Sequence, residues 1–501
     1  MAFKEVAKQS SKYFIGEILV MFSSLISFPI LTRILPQNEY GIMSLIAVTC
    51  GIFGPISALG THFSMLRFYH NYKNNNALKD FFKKMLTVIL VSGFFAVCIL
   101  MFFVIFFKTE RFLSIEYRST LLIALILMVT QNVFWLLHSS YRLEEKVFLY
   151  NFLNVLRRYA ALIVSILLVL VFKNLFTFYL GQLIVHLVLI SLLIAVVFKG
   201  FSYSNHKIEF KAFLPQTFKY GFPLAITGIV TFFFSAGDRY IIAYFLGAKS
   251  VAVYSVAGNL GGYLKESLIT AINLSLMPIA FKLWEEQRIE QVRKIFTSMV
   301  RYYYLLAAAI VALFFLVSQE LLVIIASEKY AQSASVAPLL MCGIMASSFI
   351  FPFSAGLHFE KKTLKIFLLT IVFTLINVIL NIIWIPEHGI KGAAFATMVS
   401  SFFFIFSNQL FSHKYFSFKI PFSAVLKYTV ICFGAYFITN QVWISSGLKA
   451  KIFLSLCFKV LFFLGFYILL IMIFDQEIRK KVWGWRSKLS IKAMILNEKK
   501  D

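Results

Sequence analysis

Apolar residues follow one another along this chain in long segments that are separated by short polar connections. A helix needs about 20 apolar residues, each adding about 1.5 Å, to cross the roughly 30 Å hydrocarbon core of a bilayer. None of the polar connections is long enough to bury a core of its own. The sequence therefore predicts an all-α polytopic membrane protein with about fourteen transmembrane helices, near 13–34, 40–60, 84–107, 119–139, 152–172, 176–198, 218–240, 251–280, 296–317, 333–358, 363–385, 389–411, 421–440 and 450–474.

Composition supports this prediction. Apolar residues make up 60% and charged residues 14% of the 501 positions, whereas soluble domains carry about 25% charged residues. These values exclude a soluble enzyme, a nucleic-acid-binding protein and a disordered chain, despite a net charge of +26. The five cysteines lie in apolar segments without a CxxC spacing, so we expect neither disulfides nor zinc. The polar start MAFKEVAKQSSK and the long apolar segment after it predict no cleavable signal peptide.

The positive charges are distributed unequally between the two sides of the predicted bundle. Of the 48 Lys and Arg residues, 34 fall on the side of the N-terminus, 11 on the opposite side and three (Lys265, Lys427 and Lys459) within spans. Since cytoplasmic loops are enriched in Lys and Arg, this distribution predicts that both termini are cytoplasmic. The basic tail with Trp483 and Trp485 is predicted to lie on the anionic inner surface.

A weak internal repeat relates two stretches of the chain. LTRILPQNEYGIMSL (31–45) aligns with IAYFLGAKSVAVYSV (242–256) at an offset of 211, so that Ser44 corresponds to Ser255. Parallel repeats in transporters place the substrate between two lobes near the middle of the membrane. We therefore expect an N-terminal lobe (1–215, spans 1–6), a C-terminal lobe (216–412, spans 7–12), two extra spans (413–474) and a basic cytoplasmic tail (475–501).

Motifs of catalysis are missing from the sequence. No GxxxxGK[ST] loop, GxSxG elbow, HExxH motif or Cys/His cluster occurs. We therefore expect that the chain is not an enzyme, hydrolyses no ATP and needs no cofactor or metal.

Four stretches resemble one family of known proteins. FPILTRILPQNEYGIMSL (28–45) resembles the first hairpin of bacterial polysaccharide-repeat-unit flippases of the Wzx type. GDRYIIAYFLGAKSVAVYSVAGN (237–259) and SLMPIAFK (275–282) resemble their seventh and eighth spans, and NVILNIIWIPEHGIKGAAFATMVSS (377–401) resembles their eleventh and twelfth. The superfamily also contains multidrug and toxin extruders, lipid II flippases and spore-wall exporters.

The resemblance implies a function and a location. Such flippases move undecaprenyl-diphosphate-linked oligosaccharides from the inner to the outer leaflet by alternating access, for O-antigen, capsule or exopolysaccharide assembly. The resemblance implies an ion gradient or the membrane potential as the energy source. It also places the protein in the bacterial inner membrane, with the lipid bilayer around it and a glycan polymerase and chain-length regulator as candidate partners. No nucleic acid is expected as a partner.

Two other functions remain open at this point. The first is an ion-coupled multidrug antiporter of the same fold, which would prefer an acidic and apolar cavity and usually has twelve spans. The second is a membrane glycan polymerase or ligase. The short predicted outer loops disfavour this second alternative, because such enzymes usually carry a large outer loop with arginines.

Span 8 carries the clearest candidate site. Its polar residues recur every three or four positions and fall within about an 80° sector of the helix, which predicts a stripe along a cavity. The candidate cavity residues are Asn259, Glu266, Thr270 and Asn273, together with Lys265 as a candidate phosphate contact. The alternative is that Lys265 and Glu266 form separate structural pairs with neighbouring helices.

Further candidates lie in and around other spans. Glu17 in span 1 is a candidate ion-coupling carboxylate, because burial makes a Glu titrate nearer to neutral pH. The candidates for a gate or for contacts to the substrate head group are Asp238, Arg239, Arg33, Arg67 and Arg301. Structural ion pairs and topological signals are the competing interpretations for these five residues. Arg157 and Arg158 are assigned to an inner helix end, where arginines can also attract a diphosphate.

Overall fold

The computed structural model describes residues 2–106, 114–200, 208–446 and 451–480, with the side chains of residues 2–15, 200 and 267–275 left out. Within these ranges the chain is almost entirely helical, and the predicted basic tail lies mostly outside them. The fifteen helices are α1 Ala2–Ile34, α2 Gln37–Ser57, α3 Thr61–Asn74, α4 Leu78–Phe106, α5 Arg118–Leu143, α6 Val147–Phe172, α7 Leu175–Gly200, α8 Phe210–Ala236, α9 Asp238–Glu285, α10 Ile289–Ala326, α11 Ala337–Ser348, α12 Ile350–Phe359, α13 Thr363–His413, α14 Phe422–Ser446 and α15 Ile452–Phe474.

Twelve stretches of the described helices are long and apolar enough to cross a membrane. Two of them, Phe210–Glu266 and Thr363–His413, contain 57 and 51 residues, about twice the length that one crossing requires. Each contains a glycine with positive φ, Gly247 at 78° and Gly389 at 60°. Glycine tolerates this left-handed conformation because it has no Cβ atom.

Side-chain contacts show that the chain reverses direction at both glycines. Asp238 accepts a hydrogen bond from Tyr254, sixteen residues away, although sixteen residues of straight helix would separate them by about 24 Å. Across the second turn, the Asn377 amide donates to the Ser400 hydroxyl at 2.9 Å. Dividing the two long stretches at these turns yields fourteen crossings, and the predicted all-α polytopic membrane fold is confirmed.

Helix α2 packs along α9. The Ser44 and Ser255 hydroxyl oxygens are 2.7 Å apart, and these two serines are the ones that the sequence repeat aligns. Nearby, the Thr49 and Tyr240 hydroxyls also form a hydrogen bond. Contact between equivalent residues is the geometry expected on a two-fold axis.

Helices α14 and α15 are attached to α10 by ionic contacts at both ends. Near one end, the Lys459 ammonium is 2.5 Å from a Glu320 carboxylate oxygen, and Ser455 donates to that same oxygen at 3.0 Å. At the other end, Asp475 accepts hydrogen bonds from Arg301 and Lys427. These contacts account for both Lys427 and Lys459, two of the three basic residues that the sequence places within spans.

The carboxyl group of Asp475 follows directly after α15 and is buried. Burial alone would raise its pKa, but hydrogen bonds from the Lys427 ammonium, the Ile478 N–H and the Tyr428 hydroxyl together hold the pKa of Asp475 well below its usual value. The group therefore stays ionised and keeps its bonds to both cations.

The Glu320–Lys459 pair gives a testable prediction for stability. Lys459→Met should lower the free energy of unfolding by about 3 kcal/mol, because it leaves a buried carboxylate without its cation. The double variant Glu320→Gln, Lys459→Met should recover most of that loss, since no charge remains. Thermal unfolding of the purified protein in detergent measures both effects. Equal midpoints for the single and double variants would contradict this account.

Candidate transport site

A cavity of about 460 Å³ lies between α1, α2, α5, α6, α7, α8 and α9. We call it the polar cavity, since hydroxyl, amide and guanidinium groups alternate with apolar ones along its wall. Two arginines are present and, among the described residues that line it, there is no Asp or Glu. Its polar lining residues are Ser23, Ser27, Tyr40, Ser44, Gln131, Arg158, Tyr179, Gln182, Arg239 and Asn259.

Arg158 extends from α6 towards α1. Its Nε donates to Ser23 at 3.1 Å and a terminal nitrogen donates to Ser24 at 2.9 Å. Tyr263 and Glu266 of α9 interact with it electrostatically. Helix α6 begins at Val147, so Arg158 lies about 16 Å along the helix. The sequence interpretation as a residue at a helix end is therefore wrong, because the helix starts earlier than the apolar segment does.

Asn259 and Arg239 are the two predicted site residues that line the polar cavity. The Asn259 amide donates to the Tyr40 hydroxyl at 3.2 Å, and its carbonyl oxygen is 3.5 Å from an Arg239 nitrogen that donates to it. The first arm of α9 supplies Arg239 and the second arm supplies Asn259, so the turn at Gly247 brings them together. The two residues connect α9 to α2.

The remaining residues of the predicted stripe occupy different environments. Lys265 is half-buried and Glu266 is exposed, and neither lines the polar cavity. Glu266 nevertheless faces Arg158 of α6 closely enough to interact with its charge. The side chains of Thr270 and Asn273 lie outside the described residues. Of the described stripe residues, Asn259 lines the polar cavity and Glu266 lies beside it, near Arg158.

Asp238 is a buried carboxylate within the membrane region. One oxygen accepts hydrogen bonds from the hydroxyls of Tyr254 and Thr397, the latter at 3.4 Å. The other oxygen is buried and has no hydrogen-bond partner among the described residues. Ionisable groups at such positions are expensive, so they generally mark ion or substrate pathways. Burial of a carboxylate, which the sequence predicts for Glu17, is therefore found at Asp238 instead.

Four predicted residues lie away from the polar cavity. Glu17 is exposed on α1, and Arg67 is exposed on α3. Arg301 is bound to Asp475, Glu477 and Tyr428 at the end of α15, so its placement is that of a structural ion pair. Arg33 is exposed at the end of α1 and donates to backbone carbonyls of α10.

A second and larger cavity, of about 880 Å³, lies between α10, α11, α12, α13 and α14. We call it the apolar groove, because its wall is almost entirely hydrocarbon. No sequence pattern predicts this groove, because its residues are ordinary aromatic and aliphatic side chains with no distinguishing spacing. Its aromatic lining residues are Tyr303, Tyr304, Phe315, Phe349, Phe353, Phe402, Phe406, Phe422, Phe433 and Tyr436.

Comparison with known families identifies the chain. The family model described as polysaccharide biosynthesis protein matches residues 6–284, more than half of the sequence. The chain belongs to the polysaccharide biosynthesis protein family. A second model, MatE, matches residues 223–383 of this family member. No curated protein matches the chain. The two family models confirm the resemblance found in the four sequence stretches.

Solved structures show the same fold. The lipid II flippase MurJ in an inward closed conformation is 15% identical, with a TM-score of 0.75 over 93% of this chain and 99% of that one. An inward-facing multidrug resistance transporter of the MATE family is 16% identical, with a TM-score of 0.64 over 81% and 96%. A transporter from Pyrococcus furiosus is 16% identical, with a TM-score of 0.54 over 82% and 94%. These likenesses show that the family member shares the all-α, multi-pass membrane fold of these proteins.

The different environments of Ser255 and Asn259 give a prediction for water access. In a chain whose five native cysteines are replaced, Asn259→Cys should react with a hydrophilic thiol reagent at least about tenfold faster than Ser255→Cys, because only Asn259 lines the cavity and a packed interface must first open. Mass spectrometry of the labelled protein measures both rates. Equal rates would show that Asn259 is no more accessible to water than the packed position Ser255, which would contradict this account.

Proposed function

We propose that the protein is a flippase that moves undecaprenyl-diphosphate-linked oligosaccharide repeat units from the inner to the outer leaflet of a bacterial cytoplasmic membrane. The observation that carries this proposal is the presence of two cavities of opposite chemistry in one bundle. The polar cavity holds two guanidinium groups, and the apolar groove is lined by hydrocarbon. Such a pair suits a substrate with an anionic, hydroxyl-rich head and a long apolar tail.

The polar cavity supplies what the head group needs. Diphosphate and sugar groups are heavily penalised in hydrocarbon, so they cross only where polar partners replace water. Arg158 and Arg239 offer planar donors that bind phosphate oxygens in pairs. Gln131, Gln182 and Asn259 offer both donors and acceptors, which suits sugar hydroxyls.

The apolar groove supplies what the tail needs. The extra helix α14 forms one wall of the groove, and α10 to α13 form the rest. A polyprenyl chain packs in such a groove without exposing polar backbone. The added pair α14 and α15 is held against α10 by the contacts of Glu320 and Asp475, so the groove has a fixed wall.

The lining of the polar cavity favours a flippase over the multidrug antiporter. A cavity for cationic drugs is expected to be acidic, but the described lining of this cavity carries Arg158 and Arg239 and no acidic residue. The family that covers residues 6–284 is named for polysaccharide biosynthesis, which supports the same choice. A glycan polymerase is disfavoured, because the similar proteins are transporters and flippases.

We further propose alternating access between a lobe of residues 1–215 and a lobe of residues 216–412, with both termini in the cytoplasm. The flipped repeat units would then reach a glycan polymerase and its chain-length regulator at the outer face. The contacts of Ser44 with Ser255 and of Tyr40 with Asn259 lie between these lobes. They support a cavity that forms where the lobes meet.

Hydrogen bonds join the end of α1 to the end of α10 and to the segment that follows it. Arg33 donates to the carbonyls of Ile324 and Ile325 at the end of α10, the latter at 2.9 Å. Lys329 donates to the carbonyls of Arg33 and Leu35 at the end of α1, at 3.1 and 2.9 Å. Helix C-termini carry partial negative charge, so each cation stabilises the helix end of the other lobe. We call this pair the cap latch and propose that it is a gate at the outer side.

The arginines of the polar cavity give a prediction for transport. Deletion of the gene in its host should remove the surface polysaccharide and accumulate complete repeat units on undecaprenyl diphosphate. Arg158→Ala and Arg239→Ala should each restore less than about a tenth of the surface polymer, because loss of a charge-assisted bond costs about 1.5–3 kcal/mol. Mass spectrometry of the lipid-linked glycans measures the accumulation.

A matched control comes from Arg293, whose exposed guanidinium pairs with Glu290 and lines neither cavity. Arg293→Ala should restore normal surface polymer. Normal polymer in the deletion strain, without any lipid-linked intermediate, would instead favour the antiporter. Normal polymer in both arginine variants would reject the polar cavity as the site of the head group.

The cap latch gives a prediction for conformation. In a chain without native cysteines, spin labels are attached at Glu116→Cys and Gln332→Cys. The distance between the two labels should be longer in the double variant Arg33→Ala, Lys329→Ala. Removal of the cross-lobe hydrogen bonds favours the state in which this end is open. Lys391→Ala, which also removes an exposed cation, serves as the control. Pulsed electron–electron double resonance measures the distance. An unchanged distance in the double variant would reject the proposal that the cap latch is a gate.

A further inference from the structure

Arg157 belongs to a second cluster of polar groups, inside the bundle formed by α5, α6 and α7. One terminal nitrogen of Arg157 is 3.3 Å from Nε2 of His186, and the other donates to the side-chain amide oxygen of Asn154 at 3.1 Å. The guanidinium carbon lies 5.1 Å from the ring centre of Phe134. We call Arg157, Asn154, Phe134 and His186 the His186 cluster.

The hydrogen bonds of His186 define its protonation state. Its Nδ1 is 2.8 Å from the carbonyl oxygen of Gln182, which only accepts, so Nδ1 carries a hydrogen. Its Nε2 faces Arg157, which only donates, so Nε2 must present a lone pair. His186 is therefore neutral in this arrangement. A proton on Nε2 would point directly at an N–H of Arg157 and is incompatible with that contact.

The surroundings of the cluster offer it no negative charge among the described groups that face it. From α6, Arg157 and Arg158 both act electrostatically on His186. From α5, the ring of Phe134 contacts His186, and His138 lies behind Phe134 with its Nε2 bonded to the Tyr150 carbonyl. From α1, Ser23 and Ser24 bond to Arg158. Arg157 thus holds a half-buried positive charge that neutral dipoles and an aromatic face stabilise.

The cluster lies directly beside the polar cavity. Ala161 and Gln182 line that cavity, and they lie four residues from Arg157 and from His186 on the same helix faces. Arg158, the next residue after Arg157, also lines the cavity. A dianion that binds at Arg158 therefore also attracts the neighbouring guanidinium of Arg157, which has no carboxylate partner among the described residues.

We propose that His186 is a proton-binding residue coupled to head-group binding through Arg157. When an anionic head group draws Arg157 away, Nε2 of His186 loses its donor and takes up one proton from water. When the head group leaves, Arg157 returns and displaces that proton. This inference deepens the proposed flippase function and rests on it, since it names the proton as the coupled ion.

The test is a binding experiment on the purified full-length protein in lipid nanodiscs, with undecaprenyl diphosphate as the probe. Calorimetry in two buffers of different ionisation enthalpy measures the protons exchanged on binding. The wild-type protein should take up about one proton more per bound probe than His186→Gln, because Gln offers Arg157 an acceptor but does not titrate. The difference between the two proteins cancels protons that the diphosphate itself takes up. Binding to the wild type should also tighten as the pH falls from 8 towards 6.

Two further variants separate coupling from a structural role. His138→Gln removes a neighbouring buried histidine that does not bond to Arg157, and it should keep the extra proton. Arg157→Gln should lose the extra proton, since Nε2 is then open to water-borne protons before the probe arrives. Binding with equal proton uptake in wild type, His186→Gln and Arg157→Gln would overturn this inference alone. Failure of the wild-type protein to bind the probe would overturn the proposed function and this inference with it.

Discussion

The cost of leaving a polar group in hydrocarbon governs this structure. Water is absent from the bilayer core, so each charged or amide side chain in a span must find a protein partner or face a cavity. Lys459 finds Glu320, Asn377 finds Ser400, and Asp238 finds Tyr254 and Thr397. Arg158 and Arg239 bond to neighbouring side chains and also line the polar cavity. The polar residues of the spans thus fall into two classes, those that only hold helices together and those that also line the polar cavity.

Much of the architecture follows from sequence because the same constraint acts on whole segments. The apolar runs predict fourteen crossings. Inside the two long helical stretches, the chain turns at Gly247 and at Gly389, where one apolar run gives way to the next. The side of the helix that faces the cavity is also predictable at Asn259, since spacing of three and four residues places polar groups on one face.

The parts that sequence did not predict depend on where helices begin and on which neighbour they meet. Arg158 resembles a residue at a helix end until α6 is seen to start at Val147. Arg301 resembles a phosphate contact until Asp475, which is 174 residues away, is placed beside it. The apolar groove has no sequence signal, because its phenylalanines are the same residue type that faces lipid elsewhere. The groove phenylalanines differ from the lipid-facing ones only in their position between α14 and the helices α11 and α13.

The serine pair between α2 and α9 has a mechanical consequence. Ser44 lies seven residues from the Gln37 end of α2 and thirteen from the Ser57 end, or roughly 10 Å and 20 Å along the helix. Two small side chains in contact at this point make a fulcrum with unequal arms. A rotation of α2 about this contact displaces the Ser57 end about twice as far as the Gln37 end. A small movement at the Gln37 end is therefore amplified at the Ser57 end.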